Sequence, residues 1–176
     1  MKEGTTIMLD LEPRLDPRLW AAIANAYQTG NYTTAILDSI HFIAELIREK
    51  TGLEADGVAL AGEAFGGPNP KLKVTKLQTD SDKNVQQGIL QVLQGIYQAI
   101  RNPRSHEKYS DSVQDAEASI LFMNYLVTTI NKATGHGNRA PRNRRGVVWG
   151  RISSEAGAEM SGGRRSELRI LDQSTG

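Results

Sequence analysis

The chain of 176 residues contains no cysteine. A disulfide framework, a thiol nucleophile and a cysteine-based metal site are therefore excluded. Histidine is scarce as well, with three residues in the whole chain, so few imidazole groups are available for acid–base chemistry. Aromatic residues make up only 6% of the sequence, but the hydrophobic share of 39% is sufficient for the core of one domain.

No apolar run approaches the roughly 18 residues that a membrane-spanning helix needs, and no secretory signal peptide opens the chain. We therefore expect a soluble, cytoplasmic protein without a membrane partner. The net charge of +1 conceals an uneven distribution. Residues 1–131 contain 12 Lys and Arg against 16 Asp and Glu, whereas residues 132–176 contain 9 against 4. The C-terminal segment is thus basic and the rest of the chain is acidic.

Apolar residues recur every three or four positions through most of residues 16–131, which predicts an all-α bundle of four to five helices. The predicted helices cover residues 17–29, 32–50, 56–65, 81–100 and 113–131. Residues 1–15 precede the bundle as a leader to which the pattern assigns no firm structure.

Several helix boundaries are indicated by residues that favour caps. Asp16 followed by Pro17 favours a helix start, because the carboxylate accepts from free N–H groups and proline tolerates the first turn. Gly52 favours the end of the second helix. Asp111 is expected to cap the last helix, with Gln114 placed for the reciprocal hydrogen bond.

Residues 132–176 lack an apolar period and are rich in Gly, Pro and Arg, which predicts a basic and largely disordered tail. A short ordered piece is expected around residues 147–149. Two interpretations of the tail stay open. It is either an electrostatic arm for RNA or DNA, in which each phosphate contact adds salt-sensitive affinity, or a dispensable segment.

Two features outside the helix ends favour contact with another molecule. Gly88 and Gly95 interrupt the third long helix seven residues apart, so they share one face and suggest close approach of another helix or of a second copy. The segment 66–81 is long for a connection and contains Lys71, Lys73 and Lys76. These lysines can line a path for a polyanion, or they are ordinary solvated residues.

The stretch 100–107 lies between two strongly amphipathic helices. Pro103 lacks an N–H and disfavours helical geometry at Asn102, so the preceding helix is expected to end near Arg101. Arg101 would then present its guanidinium at a helix end. His106 would follow in the turn, five positions later.

A guanidinium near an imidazole suits cleavage of an RNA backbone. The imidazole can take the proton of a 2′-hydroxyl or return one to the leaving oxygen, and the guanidinium can hold the phosphate. The same residues also allow a structural interpretation, in which Arg101 stabilises its helix C-terminus and His106 is a polar turn residue. His41 is interpreted as a packed or peripheral histidine, and His136 is given no role.

The order of several residues resembles that of the HEPN superfamily of small helical bundles and, within it, the Ymh-type branch. The matching residues are Asp56-Gly57, Leu60, Ala64-Phe65, Pro70, Leu72, Gly88, Gly95, Ala99-Ile100-Arg101-Asn102-Pro103 and His106. Relatives of this branch occur in abortive-infection and toxin systems. The resemblance therefore implies a toxin or phage-defence effector, with an antitoxin or another defence protein as a partner.

The resemblance further implies a metal-independent endoribonuclease that cleaves single-stranded RNA where two subunits of a homodimer meet. His106 would be the general acid or base, Arg101 the phosphate anchor, and Asn102 would orient the phosphate or the imidazole. The predicted RNA-binding residues are Arg104, Lys108, Lys71 and Lys73. No cofactor and no metal is expected, and the products would carry a 2′,3′-cyclic phosphate and a free 5′-hydroxyl. A non-catalytic module that binds RNA, nucleotide or a partner protein is the alternative, because the fold alone does not fix the activity.

Overall fold

The computed structural model describes residues 10–106 and 108–135, which form a helical bundle with one short pair of strands. The helices are α1 (Pro17–Gln28), α2 (Tyr32–Thr51), α3 (Gly57–Phe65), α4 (Asp80–Gly95), α5 (Asn102–His106) and α6 (Val113–Lys132). A 3₁₀ turn (Glu12–Arg14) precedes α1, and a π-helical turn (Ile96–Arg101) joins α4 to α5. The strands are β1 (Leu72–Lys73) and β2 (Thr134–Gly135). The predicted all-α class is confirmed.

The first helix begins, and the second helix ends, for the reasons that the sequence indicates. Asp16 Oδ1 accepts hydrogen bonds from the N–H groups of Arg18 and Leu19 at 2.9 and 3.3 Å, and Pro17 occupies the first helical position. Gly52 ends α2 in the left-handed conformation, with φ of 70°. Because a residue with a side chain is strained there, glycine is the natural helix terminator at this position.

The core lies between α2 and its neighbours α1, α3 and α6. It also includes Leu11 and Leu15, which are 1% and 7% exposed, so the bundle begins before the predicted boundary at residue 16. The Tyr27 hydroxyl on α1 donates to the buried Glu117 on α6 at 3.0 Å across this core. The largest fully buried side chains are Phe65, Leu11, Leu19, Ile23, Ile36, Ile40, Ile43, Ile47, Leu60, Leu72, Leu93 and Ile120.

A single buried glutamine fixes the connection between α3 and α4. Gln86 Nε2 donates to the carbonyl oxygens of Phe65 and Leu72, both at 2.9 Å, and its Oε1 accepts from Val74 N–H at 2.9 Å. Strand β1 then pairs antiparallel with β2, with Leu72 opposite Gly135. The bundle therefore extends past the predicted boundary at residue 131, and the connection has a defined path.

Helix α4 begins slightly earlier than predicted, at Asp80, because Thr79 and Asp82 form a reciprocal capping box. In the part of the chain that the structure describes, no helix is long and apolar enough to span a membrane. The predictions for residues 1–9 and for the tail from residue 136 onward, including residues 147–149, lie outside the described residues.

Candidate functional site

The chain does not leave its helix at Arg101, and the prediction that Pro103 ends the helix there is wrong. The π-helical turn widens the backbone just before the proline, so the Asn102 N–H donates to the carbonyl of Tyr97, five residues back. Asn102 keeps helical geometry, with φ of −59° and ψ of −49°. Pro103 is then the second residue of α5, in the first helical turn, where a missing N–H is tolerated.

Side chains bind two of the carbonyl groups at this junction. Arg104 Nη1 donates to the Ile100 carbonyl at 3.1 Å, and Ser105 Oγ donates to the Arg101 carbonyl at 2.9 Å. These hydrogen bonds stabilise a segment in which the regular backbone pattern is interrupted. Such π-helical insertions are frequent at functional sites.

Arg101 and His106 therefore lie five residues apart on one helical segment. At 3.6 residues per turn, this spacing corresponds to a rotation of roughly 140° and a rise of roughly 7.5 Å. The Arg101 side chain is 41% exposed, and Asn102 and His106 are exposed. One copy of the chain thus presents all three predicted catalytic residues to solvent, with the positions of Arg101 and His106 on different sides of the helix.

The neighbouring Arg104 has a different environment. Its Nε and Nη2 donate to the two carboxylate oxygens of Asp111 at 3.0 and 2.5 Å, in a bidentate pair of side chains that are 10% and 2% exposed. Thr33 Oγ1, on α2, donates to the same carboxylate at 2.8 Å. The Arg104 guanidinium also lies 4.4 Å from the centre of the Tyr109 ring. Arg104 thus anchors α5 and the following loop to α2.

The last helix starts at Val113 as predicted, but the predicted cap, Asp111, is wrong. Ser112 caps α6, because its hydroxyl accepts from the Asp115 N–H at 3.2 Å. The Asp111 carboxylate accepts hydrogen bonds from Arg104 instead of capping α6. Both residue types are good caps, so the tertiary partner decided which of the two took that role.

A cleft of about 500 Å³ opens beside α5. The residues that line it are Arg104, Lys108, Tyr109, Ser110, Asp111, Asp115, Ala118 and Ser119. Lys108 and Tyr109, which line the cleft, follow His106 closely in the sequence. Lys108 is exposed, and Tyr109 is 46% exposed although Arg104 packs against its ring.

Lys71 and Lys73 are far from this cleft along α4. Lys71 is exposed and Lys73 is half-buried on β1, which Gln86 binds through its side chain. Gln86 precedes Arg101 by 15 residues of nearly continuous helix, which corresponds to a separation of roughly 20 Å. The structure therefore does not bring these two lysines to Arg101. Their predicted role as RNA ligands requires a strand long enough to span that distance.

The structure adds three residues to the surroundings of Arg101. Asp56 Oδ2 lies 3.5 Å from Arg101 Nη2, and Asp56 Oδ1 accepts from Arg48 Nη2 at 2.9 Å. Tyr97, one helical turn before Arg101, is buried, and burial is the main cause that raises the pKa of its hydroxyl to about 12. The sequence signal for Asp56 was its place in the Ymh-type pattern. Nothing in the sequence pointed to Arg48 or Tyr97.

The fold and the site define the protein as a small all-α bundle that exposes an arginine and a histidine on one short helical segment. The described residues hold no group of three or more His, Asp or Glu placed to bind a metal ion. Over residues 13–130 the chain matches the family described as "Protein of unknown function (Hypoth_ymh)", and it belongs to that family. No curated protein and no solved structure gives a significant match. The Ymh-type assignment is confirmed, and the wider HEPN relationship stays a prediction.

Proposed function

We propose that this protein is a metal-independent endoribonuclease that cleaves single-stranded RNA with Arg101, Asn102 and His106 from two copies of the chain. The observation that carries the proposal is the contrast between neighbouring cations. Arg104 is buried in a bidentate pair, whereas Arg101 is 41% exposed and lies 3.5 Å from its carboxylate partner, too far for a strong hydrogen bond. Arg101 is therefore the guanidinium of this segment that can bind a phosphate.

The proposed reaction needs a base, an acid and a cation around one phosphodiester. One imidazole removes the proton of the 2′-hydroxyl, whose oxygen attacks the phosphorus. The bond from phosphorus to the 5′-oxygen breaks, and a protonated imidazole gives its proton to the leaving oxygen. Arg101 stabilises the charge that develops on the phosphate, with Asn102 orienting the phosphate or the imidazole. The products carry a 2′,3′-cyclic phosphate and a 5′-hydroxyl.

A second copy would favour this chemistry because the positions of Arg101 and His106 in one chain lie roughly 140° apart around the helix. A two-fold axis beside α5 would bring two histidines and two arginines into one cleft, which supplies base and acid together. Lys108 and the accessible Tyr109 ring would then contact the strand on each side. The family resemblance supports a cytoplasmic toxin or phage-defence setting, with an antitoxin or another defence protein as the class of partner.

The face of α4 that carries Gly88 and Gly95 is our candidate for the dimer contact. A Cβ built at either glycine has no neighbouring atom within 4 Å, apart from the helix's own nearby backbone, so packing within one copy does not require glycine there. Each glycine costs about 1 kcal/mol relative to alanine in a helix interior. Val85, one turn earlier on the same face, is 50% exposed. A closely approaching second α4 accounts for all three observations.

Replacing Gly95 with leucine is expected to convert a dimer to a monomer, because the side chain would hold the two α4 helices apart. Light scattering after size-exclusion chromatography measures the mass, and circular dichroism checks that the helices persist. Gln87→Leu is the matched control, since residue 87 is exposed but lies roughly 100° from Gly88 around the helix. A wild-type protein that is monomeric at high concentration would contradict the assignment.

The direct test of the proposed function is cleavage of labelled single-stranded RNA by the purified full-length protein in EDTA. We expect cleavage to continue without divalent metal, and we expect the 3′ ends of the upstream fragments to be cyclic phosphates. Intact RNA at high protein concentration would count against the activity. It would favour the alternative function, a non-catalytic RNA-binding module. This is the second candidate because Arg101 and His106 lie on different sides of the helix within one copy. In that case Arg101→Ala should weaken RNA binding although no cleavage appears.

A further inference from the structure

Asp56 occupies a position where an aspartate usually caps a helix, but its side chain does not do so. It is the N-cap residue of α3, in extended backbone geometry, and it makes no capping hydrogen bond. Aspartate is among the preferred residues at this position because its carboxylate accepts from the free N–H groups of the first turn. The carboxylate of Asp56 is directed instead to two arginines, which indicates that it has another role.

The first of these arginines holds Asp56 in place. Arg48 donates to the Ala55 carbonyl through Nε at 3.1 Å and through Nη2 at 3.0 Å, and Arg48 Nη1 binds Glu45 at 2.7 Å. From this fixed position, Arg48 Nη2 binds Asp56 at 2.9 Å. The second arginine, Arg101, lies 3.5 Å from the other carboxylate oxygen of Asp56. The carboxylate is thus held firmly on one side and contacts Arg101 loosely on the other.

The π-helical turn that ends at Arg101 also carries a buried hydroxyl without a hydrogen-bond partner among the described residues. Tyr97 is 3% exposed, and its hydroxyl oxygen is buried and unpaired. Burial and, after it, the negative charge of Asp56 raise the pKa of the Tyr97 hydroxyl to about 12. A buried donor without an acceptor is rare and calls for an explanation.

We propose that Asp56 is the positioning residue for Arg101, and that the Tyr97 hydroxyl binds the Asp56 carboxylate when Arg101 turns to a phosphodiester. In the free protein, Asp56 keeps the guanidinium near its working position. When a phosphate takes Arg101, one oxygen of Asp56 loses its partner, and Tyr97 supplies a donor to that oxygen. The inference rests on the proposed function only in taking Arg101 as the phosphate anchor.

Asp56→Asn and Tyr97→Phe are expected to change the binding of a 2′-deoxy oligonucleotide in opposite directions. This probe has no 2′-hydroxyl, so the protein can bind it but cannot cleave it by the proposed reaction. Asp56→Asn removes a negative charge that competes with the phosphate, so we expect roughly three- to tenfold tighter binding. In the cleavage assay the same variant should lower both KM and kcat, because Arg101 binds better but is less well oriented. Asp56→Glu, which keeps the charge, should recover part of kcat.

Tyr97→Phe should weaken binding of the same oligonucleotide roughly three- to tenfold, while the melting temperature of the free protein rises because an unpaired buried hydroxyl is removed. In the Asp56→Asn background, Tyr97→Phe should have no further effect on binding, since its proposed acceptor is altered. Asp80→Asn is the matched control, because Asp80 pairs with Lys83 at 3.0 Å at the other end of α4.

Three results would overturn the inference. The first is binding by Asp56→Asn that equals that of wild type or of Asp80→Asn. The second is unchanged binding by Tyr97→Phe, and the third is a wild type that does not bind the oligonucleotide at all. If the wild type binds but never cleaves RNA, the nuclease proposal fails while the binding effects still test the positioning role. If it cleaves and both variants behave like wild type, only the positioning role fails.

Discussion

His106→Ala is expected to reduce the kcat of RNA cleavage by roughly 10²- to 10⁴-fold, which is the range that a general acid or base contributes. The imidazole is the group on this segment that can accept and return a proton near neutral pH. Because His106 is exposed at the end of α5, its removal should leave the fold intact. Initial rates on labelled single-stranded RNA, with circular dichroism of the same samples, measure both effects.

The control for this experiment is His41→Ala. His41 is also exposed, but it lies on α2 away from the cleft, so its removal should leave kcat unchanged. RNA cleavage separates the two proposed functions, because both of them predict weaker RNA binding after Arg101→Ala. If the protein is an endoribonuclease, His106→Ala should stop cleavage while RNA binding persists. If His106→Ala cleaves RNA as fast as the wild type, this histidine is not the acid or base.

The helix boundaries that the sequence predicts well are those decided by local chemistry. Asp16 caps α1, and the left-handed Gly52 ends α2, because a side-chain acceptor or a missing Cβ acts on its own backbone. The predicted helix end near Arg101, before Pro103, is wrong because the backbone there is not a regular α-helix. Proline rules describe a regular α-helix, and the π-helical turn before Pro103 moved the proline into the first turn of a new segment.

The candidate site was predictable in part. Arg101, Asn102 and His106 follow from a motif in which chemistry and spacing are both visible, and all three are accessible. Their surroundings are not visible in that way, because Asp56 reaches Arg101 from a distant part of the chain and is itself bound by Arg48. Such pairings depend on how helices pack, which residue types alone do not specify.

Arg104, a predicted RNA ligand, is another residue whose partner could not be predicted from the sequence. The sequence presents it as one more cation beside the motif. In the structure, Asp111, seven residues later, satisfies it with two hydrogen bonds at 3.0 and 2.5 Å. A guanidinium bound in this way has little left to offer a phosphate. Lys108 is exposed in the cleft and stays the better candidate for a contact with RNA.

Breaking the buried ion pair between Arg104 and Asp111 should be among the most destabilising single changes in the bundle. Asp111→Ala is expected to lower the free energy of unfolding by about 3–5 kcal/mol, because it leaves the guanidinium of Arg104 buried without a counter-charge. Arg104→Lys should recover little of the stability that Arg104→Ala loses, since an ammonium cannot form the bidentate contact. Urea titration followed by circular dichroism measures these differences. Lys83→Ala, which breaks the exposed pair with Asp80, should cause no measurable loss.

The double replacement Arg104→Met with Asp111→Leu separates an anchoring role from an RNA contact. Replacing both partners of a buried pair by apolar side chains is often neutral for stability, so we expect this variant to fold. If Arg104 only anchors α5, the salt dependence of RNA binding should equal that of the wild type. If Arg104 contacts a phosphate, the logarithmic salt slope should fall by about one unit. The bidentate geometry and the 10% exposure of Arg104 favour the first result.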